Sequence, residues 1–175
     1  MRRGAAGRKS HEAVMAAARL GMLTAAAFVL SWLELLIPLP VSMPGVKLGL
    51  CHIAVLFALY RLGIKEAVFV SLVRIFLAAV LFGNIPTLAF SLCGGILSLA
   101  VMIILRRTGF FSVLGVSIAG AVSHNLGQLA CAAVLTETVK INLYLPVLLV
   151  AGCITGAAVG GTAALTVSAV KPKKR

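Results

Sequence analysis

Three polar side chains, His124, Asn125 and Gln128, fall inside residues 112–135, a run otherwise built of apolar and small residues and long enough to cross a bilayer. About 20 apolar residues span the hydrocarbon core as a helix, and a polar group placed there must find a protein partner, a ligand or water. At roughly 100° per residue, His124 and Gln128 sit one turn apart and Asn125 lies on the same third of the helix circumference. Such a trio can exchange hydrogen bonds with a polar ligand.

Charged residues in the other apolar runs extend the set. Glu34 is the only carboxylate inside one of them. Arg74 lies near the middle of another, where a guanidinium costs at least about 2.5 to 3.5 kcal/mol on insertion scales and therefore requires a partner or a wet cavity. Lys47 opens a short run, and Asn84 sits in the uncharged turn Gly83-Asn84-Ile85-Pro86. Lys47 and Arg74 against Glu34 leave one positive charge in excess, which favours an anionic ligand. The competing arrangement pairs Glu34 with Lys47 at the interface and lets Arg74 cap a carbonyl or snorkel. For His124 a core role and a ligand contact are equally compatible with its place, and His52 reads as structural.

Other chemistries find no residues to carry them. The chain contains no aspartate, so no Asp-rich site can hold the magnesium ions that bind a diphosphate. It has no GxxxxGK[ST] phosphate loop, no Ser-His-acid or Cys-His constellation with an orienting group, and no ligand set for a metal. Neither a catalytic residue nor a cofactor is expected. Cys51, Cys93, Cys131 and Cys153 each fall in a separate apolar run without CxxC spacing and read as buried thiols.

The elements that must position these side chains follow from composition. Of 175 residues, 61% are hydrophobic and only 11% charged, with a mean hydropathy of +1.12, which places the chain among integral membrane proteins. Six spans are expected, an all-α bundle: about 13–37, 46–60, 67–82, 87–105, 112–135 and 143–170. Residues 1–12 and 171–175 form basic tails around this membrane domain of residues 13–170. The first span imitates a secretory signal but is too long for one. The second is short and opens with Pro44-Gly45-Val46-Lys47-Leu48-Gly49, as a segment lining a site would. Ala13, Ala17, Gly21 and Ala25 make a smooth strip on the first span, either an internal packing surface or a docking surface for a partner. Gly94, Gly95 and Ser98 in the fourth span, and Gly152, Gly156 and Gly160 in the sixth, permit close helix approach.

The net charge of +12 would point to nucleic acid in a soluble chain, but here thirteen of the sixteen basic residues lie in the tails, in the connections after spans two and four, and at Arg19. This is the positive-inside pattern, and it puts both termini in the cytoplasm, with no nucleic-acid partner. On that topology Glu34, Lys47, Arg74, Asn84, His124, Asn125 and Gln128 all lie at mid-depth or nearer the outside. A shared, outward-opening cavity explains their common depth.

The Pro44–Gly49 motif, Ser91-Leu92-Cys93-Gly94-Gly95, and Ser117 through Gln128 (SIAGAVSHNLGQ) together resemble the Gx transporter family, which is also labelled heptaprenyl diphosphate synthase component I. That family is similar to the substrate-binding S components of energy-coupling-factor importers, and the resemblance covers residues 13–170. It implies a six-helix subunit that captures a vitamin-like or isoprenoid-related molecule from outside, and that works with a transmembrane coupling protein and two ATPase subunits in the cell membrane, the inner membrane if the source is bacterial. The strip of Ala13, Ala17, Gly21 and Ala25 resembles the docking motif on the first helix of such subunits. Two alternatives stand beside this expectation: a noncatalytic membrane partner of a polyprenyl diphosphate synthase, and a small secondary transporter coupled through Glu34 or His124.

Overall fold

The architecture is given by a computed structural model that describes residues 2–36, 49–137 and 143–170. Six α-helices follow one another: α1 (Arg2–Leu36), α2 (His52–Phe57), α3 (Ile64–Phe82), α4 (Ile85–Thr108), α5 (Val113–Thr136) and α6 (Leu145–Ala169). No strand occurs among the described residues. α1, α4, α5 and α6 are long and apolar enough to cross a membrane. α3 has 19 residues but carries Lys65, Glu66 and Arg74, and the second segment is shorter still. α3 to α6 match the corresponding expected apolar runs to within a few residues; the second helix begins at His52, the expected start at 46 lying outside the described residues, and α1 continues through the basic residues toward the N-terminus.

The connections have local causes. α2 runs on into a π-helical turn, Ala58–Leu62, closed by the Gly63 amide donating to the Ala58 carbonyl at 2.9 Å. Gly63 then takes φ +151° and ψ 180°, a conformation essentially reserved for glycine, so the chain reverses directly into α3. Asn84 caps α4: its side-chain oxygen accepts from the Thr87 amide at 2.9 Å and from the Thr87 hydroxyl at 2.7 Å, and Pro86 occupies the first turn, where a missing N–H costs nothing. Ser112 caps α5 in the same manner through the Gly115 amide.

Glycines set the closest helix contacts. A Cβ added at Gly156 would fall 2.7 Å from the Ile118 Cα, and one at Gly160 would fall 2.7 Å from the Ser117 Cβ, so α6 lies against α5 nearly backbone to backbone. On the other side of α5, a Cβ at Gly127 would fall 2.9 Å from the Gly94 Cα. The expected small-residue ladders therefore pack within the bundle, as lipid-embedded helices without a hydrophobic driving force between them require. α5 is held between α4 and α6, α3 joins α4 to α1, and the short second segment touches α1, α3, α5 and α6. That segment is the core of the bundle: Val55, Leu56, Ala58 and Leu59 are at most 1% exposed.

α1 is attached more lightly. Only 11% of its apolar window is buried, against 28–39% in α4, α5 and α6. Thr24 and Ala27 face the bundle, and Phe28 stacks on Phe82 of α3 with ring centroids 5.6 Å apart. Ala13, Ala17, Gly21 and Ala25 are all exposed, and nothing lies within 4 Å of a Cβ built at Gly21. The cysteines also depart from expectation: Cys51 is buried, whereas Cys93 and Cys153 are exposed and Cys131 is half-buried. An apolar run in a membrane protein has a lipid-facing side as apolar as its packed side, so hydropathy alone does not bury a thiol against protein.

Candidate functional site

The site forms where the start of α2 meets α1, α3 and α5. Glu34, in the last turn of α1, accepts a hydrogen bond from the Gly49 amide at 2.5 Å. Gly49, held at φ +71°, turns its carbonyl toward His52, whose amide donates to it at 2.8 Å and whose Nδ1 lies 3.3 Å away. The His52 ring meets the His124 ring of α5 edge to face, with centroids 5.0 Å apart. Glu34, the Gly49 backbone, His52 and His124 thus form one connected group drawn from three helices.

Arg74 is 8% exposed, and its Nη1 donates to the Ser31 hydroxyl on α1 at 3.4 Å. Among the described residues no carboxylate pairs with it, and its buried Nε has no hydrogen-bond partner. One turn along α5 from His124, Gln128 is 5% exposed and its Oε1 has no partner either. Gln128 and His124 both press on Gly94 of α4: a Cβ there would meet the Gln128 Cγ at 2.7 Å and the His124 carbonyl at 2.8 Å. Ser98, one turn further along α4, is wholly buried with an unpartnered hydroxyl. A buried donor or acceptor left unmade costs about 1–3 kcal/mol, more when charged.

The expected site residues divide on this geometry. Glu34 and His124 are joined through Gly49 and His52, Gln128 presses with His124 on Gly94, and Arg74 meets α1 at Ser31, three residues before Glu34. Asn125 points elsewhere: its Nδ2 donates to the Leu148 carbonyl of α6 at 2.9 Å. Asn84 is exposed and engaged as the α4 cap. Lys47 lies outside the described residues. His52 and Ser31 are brought to the site without having been expected there. The signal for His52 was its place at the opening of the short second segment, three residues after Gly49, where a histidine begins a helix too short to be an ordinary span. Among the described residues no three His, Cys, Asp or Glu side chains gather as a metal site.

Helices long and apolar enough to cross a membrane, packed around buried polar and charged side chains, define an all-helical membrane protein. The chain belongs to the heptaprenyl diphosphate synthase component I family, whose profile matches residues 23–166, from the C-terminal half of α1 to the last turn of α6. No curated protein and no solved structure matches the chain.

Proposed function

We propose that this protein is the membrane-embedded substrate-binding subunit of an energy-coupling-factor type importer, which captures a small anionic molecule from outside and takes no chemical step itself. In this reading six segments cross the cell membrane with both termini in the cytoplasm, and a transmembrane coupling protein with two ATPase subunits drives release. The observation that carries the reading is Arg74: a buried guanidinium whose only described hydrogen bond is a long one to Ser31. A guanidinium can hold a carboxylate or phosphate through parallel hydrogen bonds, and the unpartnered Oε1 of Gln128 would take an N–H or O–H donor from the same molecule. The ligand is then an anion bearing a hydrogen-bond donor, within the class of vitamin-like or isoprenoid-related acids and phosphates. The exposed strip of Ala13, Ala17, Gly21 and Ala25 supports a partner-docking role for α1. The test is ligand affinity measured on folded wild-type protein and on Arg74→Gln, with loss of anion binding expected and unchanged affinity counting against the reading.

A second reading is favoured by the family's name: a noncatalytic membrane partner of a polyprenyl diphosphate synthase. The chain has no aspartate with which to hold a diphosphate through magnesium, so in this reading catalysis belongs to a separate subunit.

A further inference from the structure

Away from the polar site, the second segment and α6 run side by side in the same direction: Leu50 and Ile53 lie beside residues 155–162, and further along Arg61 reaches Val167. The seam between them holds a surface groove walled by Leu50, Ile53, Ala158 and Val159, with Thr155 and Thr162. Both threonine hydroxyls are engaged by their own helix, Thr155 donating to the Ala151 carbonyl at 2.9 Å and Thr162 to the Ala158 carbonyl at 3.0 Å. The groove therefore presents hydrocarbon and methyl groups, and Ala158 and Thr162 are exposed at its mouth.

Arg61 closes the seam at the end where α6 stops. Its Nη2 donates to the Val167 carbonyl, which fixes the guanidinium against the last turn of α6. Among the described residues its Nη1 is neither bonded nor buried, so one donor edge is left for an acceptor from outside the chain. Glu66, whose carboxylate lies against Gly63, makes no ion pair with Arg61 among the described residues. Tyr60, the preceding residue, carries the Arg106 guanidinium over its ring at 5.3 Å, which adds a second positive charge at this end. At about 1.5 Å per residue, Thr162 is about 7.5 Å and Thr155 about 18 Å along α6 from Val167. That span is close to the depth of one leaflet, half of a hydrocarbon core about 30 Å thick.

We propose that this seam binds one anionic phospholipid of the leaflet in which α6 ends, with its phosphate on Arg61 and one acyl chain in the groove. A guanidinium holds phosphate through charge-assisted hydrogen bonds, and basic pockets between membrane helices select anionic headgroups. The lipid joins the second segment, the buried centre of the bundle, to α6. None of the groove residues belongs to the polar site, and the proposal stands independently of the importer reading.

The test titrates the full chain, purified in detergent, with dioleoyl phosphatidylglycerol or dioleoyl phosphatidylcholine and counts bound lipid by native mass spectrometry. Wild-type protein should hold one phosphatidylglycerol about fivefold more tightly than phosphatidylcholine, the contribution of one basic side chain near a membrane surface. Equal retention of the two would overturn the site. Arg61→Gln should lose the preference, and Ala158→Phe, which fills the groove from an exposed position, should lose the lipid. A variant that melts as wild type does and still binds phosphatidylglycerol as tightly would overturn the half of the site it alters. Excess inorganic phosphate should leave the lipid bound, and displacement would make this a site for a free anion instead. Wild-type protein in vesicles guards against misfolded variants: with phosphatidylglycerol carrying a diazirine in its acyl chain, crosslinks concentrated on residues 50–53 and 155–162 support the proposal, and crosslinks spread evenly over the lipid-facing helices contradict it.

Discussion

In the proposed function, Arg74 is the residue on which ligand recognition turns. Among the described residues its Nη1 reaches only Ser31, over a long 3.4 Å, and its Nε reaches nothing, while Glu34 is engaged by the Gly49 amide. Removing one partner of a buried, hydrogen-bonded charge pair costs about 2–5 kcal/mol, so Arg74→Gln should weaken anion binding by roughly 30-fold to several thousand-fold while the protein still folds. Arg74→Lys keeps the charge but loses the planar fork, and should bind more weakly than wild type and better than Arg74→Gln. Isothermal titration on detergent-solubilised protein separates the three; equal affinities would make Arg74 a structural residue. Much of this was legible in the sequence, because a charge inside an apolar run declares itself by hydropathy. What the sequence did not show is which neighbour each side chain faces. Asn125 sits one residue from His124, yet that step turns it toward the Leu148 carbonyl of α6. The cap role of Asn84 was written locally, in an Asn followed by Pro86 and Thr87, whereas the contact of His52 with His124 joins residues distant in sequence and had no local signature.

At the scale of helices, two kinds of small-residue pattern look alike in sequence and differ in use. The glycines of α6 meet backbone: a Cβ at Gly156 would lie 2.7 Å from the Ile118 Cα, whereas Gly161, next to the ladder, has nothing within 4 Å. Gly156→Ala should therefore destabilise the bundle by about 1–3 kcal/mol through overpacking, and Gly161→Ala should be neutral or slightly stabilising, since alanine is the better helix former by about 1 kcal/mol. Thermal melts in one detergent compare the two, and similar melting temperatures for both variants would refute the close packing of α5 on α6. The strip on α1 is open instead, and a Cβ added at Gly21 has nothing within 4 Å among the described residues. The Gly21→Leu variant should retain ligand binding and fold stability but lose assembly with a partner, read as loss of co-purification; loss of ligand binding as well would show that the strip supports the bundle. Periodicity gave both patterns the same appearance, because a four-residue repeat of small side chains says that something approaches closely without saying what.

For the molecule as a whole, hydropathy placed the helices well, since each long apolar run became one helix and each break fell at Gly, Pro or a charged connection. It was least informative for the second segment, whose shortness and π-helical turn make it the buried centre and not an outer span. The distribution of basic residues sets the proposed orientation: reporter fusions after Leu39 and Thr138 should read as external and a fusion after Arg107 as internal, and the reverse pattern would contradict it. The central claim is that this chain captures a ligand for a machine whose energy source lies in other subunits. Its most direct measurement is affinity purification of the tagged full chain from its native membrane, followed by identification of the proteins held in stoichiometric amounts. The account predicts two ATPase subunits and a transmembrane coupling protein, all lost together in Gly21→Leu. Recovery of a prenyl-transferring enzyme in their place, or a chain that carries out transport alone, would contradict it.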